Sequence, residues 1–185
     1  TSNANFNIQG GLTITAPNGG EKWTVGSVRT ITWDRVGSIP FVKLEFSTNG
    51  GGIYAPIVAS TSNTGSYAWT IPDNISTNCL VKVSDTNDAT VNDVSNAALK
   101  IQAGFTVTAP NGGEVWGVGN ARTITWTTNG TVSFVKIDLS SDSGATFPTL
   151  ITGSPSNTGN YAWTVPDIVS CTLRVRISQT TDSEA

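Results

Sequence analysis

Few residues in this chain could do chemistry, and their spacing decides how each is read. There is no histidine among the 185 residues, which excludes imidazole bases, His-based triads and His-ligated metal sites. The run Ser140-x-Asp142-x-Gly144-x-Thr146-Phe147 gathers two hydroxyls and a carboxylate within a few residues, and Ser47-x-Asn49-x-Gly51 is a degenerate version of it. A short acid or amide beside glycine hydrogen-bonds nearby main chain, so both runs are expected to build hairpin turns and not a reactive site. Asp85, Asn87, Asp88 and Asp93 form the one acidic loop. They are the oxygen ligands a weak Ca²⁺ site would use, but they lack an EF-hand spacing. The second half offers only Asp182 and Glu184 nearby. A solvated loop is expected, with no metal and no cofactor. The other carboxylates are scattered, and no pair is placed for glycoside chemistry. The chain is read as not an enzyme.

Six tryptophans remain, Trp23, Trp33, Trp69, Trp116, Trp126 and Trp163. Flat aromatics stack on sugars, which makes surface glycans the one external ligand class to weigh. Trp33 and Trp69, however, share their alternation with Ile31 and Ile71, so all six are expected in packed cores. Cys79 and Cys171 fall one in each half, which rules out a bridge within either half. Each is read as a small buried hydrophobe in a strand. Lys43 and Lys136 point outward by alternation, which argues against a buried isopeptide crosslink.

The elements that must position these residues follow from a repeat. Leu12-Thr-Ile-Thr-Ala-Pro-Asn-Gly-Gly-Glu21 recurs 93 residues later as Phe105-Thr-Val-Thr-Ala-Pro-Asn-Gly-Gly-Glu114. Trp23 matches Trp116, and Arg29-Thr-Ile-Thr-Trp33 matches Arg122-Thr-Ile-Thr-Trp126. After a one-residue insertion, Asn63-Thr-Gly matches Asn157-Thr-Gly and Tyr67-Ala-Trp-Thr-Ile-Pro-Asp73 matches Tyr161-Ala-Trp-Thr-Val-Pro-Asp167. Inside each repeat the apolar period is two. Val42, Leu44 and Phe46 alternate with Lys43 and Glu45, as Val135, Ile137 and Leu139 do with Lys136 and Asp138. Such alternation belongs to antiparallel sheets with one solvated face.

Short strands are expected near 12–16, 28–34, 41–47, 53–59, 66–71, 79–84 and 96–102. Six recur near 105–109, 121–127, 134–140, 147–152, 160–165 and 171–178. The fold class is all-β: two tandem immunoglobulin-like or fibronectin III-like sandwiches. Their spans are 12–104 and 105–185, joined through Gln102-Ala103-Gly104, a link short enough to make a stiff rod.

Residues 1–11 form a separate leading strand. Ser2-Asn-Ala-Asn-Phe-Asn-Ile-Gln-Gly-Gly11 matches Ser95-Asn-Ala-Ala-Leu-Lys-Ile-Gln-Ala-Gly104, the closing strand of the first repeat, again at a displacement of 93. The second repeat is read as lacking its last strand. Ala4, Phe6 and Ile8 would fill that vacancy in a neighbouring copy, by strand addition or as part of a longer covalent array. A vacancy already filled from within the chain, or a leading strand left in solvent, would leave only two linked sandwiches.

Composition bounds the partners. The formal charge is −3 with charged residues at 12%, and no basic face is available for nucleic acid. No apolar run is long enough to span a membrane. The absence of methionine, even at position 1, points to a processed end. Sequons at Asn74-Ile-Ser76 and Asn129-Gly-Thr131 and the Thr/Ser/Asn-rich polar faces suit an extracellular or cell-surface setting.

The motif Thr-x-Thr-Ala-Pro-Asn-Gly-Gly-Glu-x-Trp, with Gly26, Ile31-Thr-Trp33 and Tyr67-x-Trp-x-x-Pro72, resembles the N-terminal domain of the fungal Ser/Thr-rich GPI-anchored cell-wall family, linked to β-glucan assembly, and its bacterial secreted relatives. The resemblance covers both repeats and implies an extracellular architectural module. The chain departs from that family in having neither a long Ser/Thr-rich tail nor a hydrophobic anchor signal. The Ser140–Phe147 run is similar to the Asp-box hairpin of sialidase-type propellers, which is not catalytic there; one per 93 residues is too sparse for propeller blades. The expected function is a structural subunit of a filament or surface fibre, its partners other copies of itself. The alternative is a carbohydrate- or wall-binding accessory module.

Overall fold

The computed structural model describes residues 2–180. Its chain divides into two compact units, Thr1–Gln102 and Ala103–Ala185, and no helix occurs among the described residues.

In unit 1 the first sheet is formed by β1 (Gly11–Ala16), β3 (Val28–Val36) and β6 (Ser66–Thr70), in the order β1-β3-β6. The second contains β2 (Lys22–Thr24), β4 (Phe41–Ser47), β5 (Ala55–Ser62), β7 (Ser76–Asp85), β8 (Asn92–Val94) and β9 (Leu99–Gln102), in the order β2-β9-β7-β4-β5 with β8 also on β7. The alternating apolar residues of both sheets meet in one core. Ile14, Ile31 and Trp33 come from the first sheet, and Val42, Leu44, Val81, Val83, Leu99 and Ile101 from the second. This is an immunoglobulin-like β-sandwich.

One edge of β7 is taken by β4. The other is shared: β9 lies along its first half, with Ser76 opposite Ile101 and Cys79 opposite Leu99, and β8 lies along Lys82–Ser84. β2 then adds in parallel outside β9, Trp23 opposite Ile101. Both β2 and β8 are only three residues long, too short for a visible alternation, and neither was expected.

In unit 2 one sheet holds β10 (Gly104–Ala109), β11 (Ala121–Asn129) and β14 (Asn160–Thr164), and the other β12 (Val135–Ser140), β13 (Thr149–Thr152) and β15 (Arg174–Gln179). The orders are β10-β11-β14 and β13-β12-β15. The same bulge that interrupts β1–β3 pairing between Ile14 and Ala16 interrupts β10–β11 between Val107 and Ala109. Its core is smaller, centred on Ile124, Trp126, Val135, Ile137 and Ile177.

The Ser/Asp runs form hairpin turns in both units. Ser140 Oγ donates to Asp142 Oδ1 at 2.6 Å and accepts from Gly144 N at 2.8 Å, while Thr146 N donates to Asp142 Oδ1 at 2.9 Å. In unit 1 Gly51 N reaches Ser47 Oγ at 3.0 Å and Ile53 N reaches Asn49 Oδ1 at 2.9 Å. The hydrogen bonds from Ser140 and Thr146 hold the Asp142 carboxyl well below the usual carboxylate range. The tip residue of the unit 2 turn, Ser143, has φ 63°, where its counterpart Gly50 has φ 68°. A left-handed conformation costs a non-glycine residue about 1–2 kcal/mol, partly offset by the greater freedom glycine has when unfolded. Ser143→Gly is therefore expected to stabilise unit 2 by about 0.5–1 kcal/mol and raise its melting temperature by about 2–8 °C; an unchanged or lower midpoint would refute this.

Candidate strand-docking site

The two units correspond residue by residue. Counterparts lie 93 apart before the insertion and 94 apart after it, so β15 corresponds to β7: Lys43 pairs with Ser84 as Lys136 pairs with Ser178. Only one edge of β15 is covered, by β12. Among the described residues no strand lies along the other edge, the one that β9 occupies on β7.

Three observations mark that edge as a vacancy. First, β7 begins at Ser76 but β15 begins only at Arg174, four residues after the counterpart Ser170. The missing stretch is the part that β9 holds in unit 1. Second, Val115–Gly117, the counterpart of β2, forms no strand, as expected of a segment whose only pairing partner in unit 1 is β9. Third, apolar side chains that are covered in unit 1 have more exposed counterparts here. Val25 is 8% exposed and its counterpart Val118 50%; Val169, the counterpart of the partly buried Ile75, is 91% exposed. Val81 is fully buried and Val175 only half-buried.

The tryptophans follow the same division. Trp23, Trp33, Trp69 and Trp126 are buried. Trp116 and Trp163 are only half-buried, contrary to the expectation of six core tryptophans. Their rings keep a centroid separation of 6.0 Å, the separation of the Trp23–Trp69 pair. The aromatic pair is preformed, and what is missing is the strand that would lie beside it.

One of the two cysteines also departs from expectation. Cys79 is buried in β7, where burial raises its thiol pKa. Cys171 is exposed and outside any strand. The one-residue insertion puts Leu173, not Cys171, opposite Cys79 in the alignment of units, so the two thiols are not equivalent.

The acidic loop spends its oxygens on its own architecture. Asp93 Oδ2 accepts from Ile14 N at 2.7 Å, joining the two sheets, and Asp85 Oδ1 accepts from Asn87 N at 2.9 Å. Asp88 accepts from Thr90 N at 3.0 Å and from Gln9 Nε2 at 3.1 Å. The Thr90 and Gln9 bonds keep the Asp88 carboxyl below its ordinary value. Among the described residues no group of three or more His, Cys, Asp or Glu could hold a metal ion. Asp182 and Glu184 lie outside the described residues.

Residues 2–10 belong to no strand. Phe6 and Ile8 are 79% and 85% exposed, while the Gln9 side chain donates to Asp88 Oδ2 at 3.1 Å and to Thr90 Oγ1 at 3.2 Å. At the displacement of 93, Phe6 and Ile8 correspond to Leu99 and Ile101, which are buried at the centre of unit 1.

Sequence reasoning passed over two sets of residues. Glu21 accepts main-chain hydrogen bonds from Asn18 and Gly19 at 2.7 and 2.8 Å, and Glu114 does the same for Asn111 and Gly112. The Asn111 main-chain N–H leads the causes that lower the Glu114 pKa. Asn63 and Asn157 each accept from a core indole, Trp33 Nε1 and Trp126 Nε1, at 2.7 Å. Their recurrence in both repeats was the available signal.

No family model matches the chain, and no curated protein matches it. Among solved structures, the fibronectin(III)-like modules of Clostridium thermocellum CbhA align over 94% of this chain and 97% of theirs, at 18% identity and a TM-score of 0.31. A marsupial T cell receptor aligns over 94% and 88%, at 8% identity and a TM-score of 0.34. Both scores are too low to bear on function.

Proposed function

We propose that this chain is a structural subunit of an extracellular filament or surface fibre, in which residues 2–9 of one copy enter the vacant edge of β15 in the next. The observation that carries the reading is complementarity. A solvent-exposed segment has the apolar pattern of β9, and unit 2 exposes the surface that β9 covers in unit 1. In the single chain the segment stands in solvent, so two linked sandwiches are all the fold itself displays; pairing between copies is the step proposed. By analogy with unit 1, Phe6 would lie beside Leu173 and Ile8 beside Ser170, with Val115–Gly117 closing over the outside as a parallel strand. Burying side chains such as Phe6 and Ile8 is worth roughly 1.5–3 kcal/mol each, and the free sheet edge gains a partner. Because the donor and acceptor surfaces differ, the contact is heterologous and propagates into an open polymer. A covalent tandem array uses the same geometry, the strand then coming from the following repeat.

The half-exposed Trp116–Trp163 pair favours the rival reading, a carbohydrate-binding module, since such rings can stack on sugar. Its twin Trp23–Trp69 is buried in unit 1, which supports taking the pair as core left uncovered and favours the fibre. Electron microscopy and sedimentation of the purified chain decide. Head-to-tail polymers are expected, with tryptophan emission shifting to the blue as Trp116 and Trp163 become buried. A chain that stays monomeric at high concentration and binds a defined glycan through Trp116 would overturn the proposal.

A further inference from the structure

Strand pairing alone does not fix the register of such a docking. Side chains alternate with a period of two, so a slip of two residues would still present apolar groups to the core. In unit 1 something else fixes β9. The Pro-Asn-Gly-Gly turn after β1 lies against the segment leading into β9: Asn96 N donates to Asn18 Oδ1 at 2.7 Å, and Gly20 N donates to Ala98 O at 2.9 Å. A Cβ placed on Gly19 would come 2.4 Å from the Ala97 methyl, so the turn approaches the strand's main chain as closely as glycine permits. One residue earlier, buried Ser95 closes the far side. Its N–H donates to Val81 O at 2.9 Å and its hydroxyl accepts from Val81 N at 3.1 Å.

Both halves of this lock recur, separated, around the proposed site. The turn Pro110-Asn-Gly-Gly113 is identical in sequence to Pro17-Asn-Gly-Gly20, and it keeps the left-handed glycines, Gly112 at φ 122° and Gly113 at φ 85°. Nothing lies within 4 Å of where a Cβ on either would be. The key, Ser-Asn-Ala, is identical at 2–4 and 95–97, whereas the core position two residues on changes from Leu99 to Phe6. Identity is retained where the turn and the strand edge read the main chain, and relaxed where only apolar bulk is needed.

We infer that Ser2-Asn3-Ala4 is a register key read by Asn111 and Gly112 of the acceptor, with Asn3 N–H donating to Asn111 Oδ1 and Ser2 bonding the main chain of Val175. This rests on the proposed strand exchange and specifies how a correct partner is told from a slipped or foreign strand. A slip of two residues that brings Phe6 to the place of Ala4 sets a phenyl ring against Gly112, where the turn leaves room for a methyl.

The test uses the full chain and substitutions at exposed positions that carry no fold of their own. Asn3→Pro removes the one N–H while keeping an extended backbone, and is expected to raise the concentration needed for assembly about tenfold. Asn3→Ala, which keeps that N–H, is expected to leave it unchanged. If Asn3→Pro assembles like the parent chain while removal of residues 2–10 abolishes assembly, the register key is wrong and the strand exchange stands. If the parent chain does not assemble at all, both fall.

Discussion

In a chain carrying Phe6→Ala and Ile8→Ala, polymerisation is expected to fail at concentrations where the parent chain assembles, with both sandwich units intact. The two side chains are exposed in the single chain, so truncating them removes no contact from either core. In the docked state they would take the places of Leu99 and Ile101, which are 1% and 0% exposed. Losing about 1.5–3 kcal/mol at each position weakens the contact on the order of 10²–10⁴-fold. The check is a sedimentation series beside a thermal melt: assembly should move by orders of magnitude while the melting profile of the dilute monomer does not. A double variant that assembles like the parent would show that the segment's apolar face does not bind. The glycan-binding reading predicts the reverse pattern, sensitivity at Trp116 and indifference at Phe6 and Ile8.

How far the sequence reaches into this fold depends on what each feature needs. Period-two runs such as Val42–Phe46 and Val135–Leu139 announce themselves, because alternation is local and the core face enforces it. β2 and β8 do not, since three residues carry no period and each exists by pairing with a longer neighbour. The burial of a given tryptophan is less local still. Trp23 and Trp116 share their surroundings in sequence, yet Trp23, which pairs with Ile101 of β9, is buried and Trp116 is not. Cys171 shows another limit: it was expected to be buried in a strand like Cys79, but the one-residue insertion gives that place to Leu173 and leaves Cys171 exposed. The strand exchange proposed above starts from a signal of another kind, a strand sequence repeated away from its sheet, which shows in the sequence itself. The turn that would read its register was not legible there, since the role of Asn18 and Gly19 appears only when the approach to Asn96 and Ala97 is measured.

The largest effect expected inside a unit comes from an amide and not from a hydrophobe. Asn63 is 3% exposed. Its side-chain oxygen accepts from Trp33 Nε1 at 2.7 Å, its amide donates to Ile39 O at 2.9 Å, and its main-chain N–H donates to Pro40 O at 3.0 Å. The side chain thus joins the central tryptophan of one sheet to the loop that enters β4 of the other. Asn63→Leu keeps most of the volume and orphans an indole N–H and a carbonyl with little access to water. Each such group costs about 1–3 kcal/mol, so unit 1 should lose about 2–6 kcal/mol. Asn157 makes the same bonds, to Trp126 Nε1 at 2.7 Å and to Val132 O at 3.0 Å, but it is only half-buried. The amide site is more open in unit 2, and Asn157→Leu should cost that unit less, about 1 kcal/mol. Denaturant unfolding followed by amide exchange in each unit separates the two losses. Equal costs would mean that burial does not set the strength of this clamp, and a loss below 1 kcal/mol in unit 1 would mean that the amide is not a clamp at all.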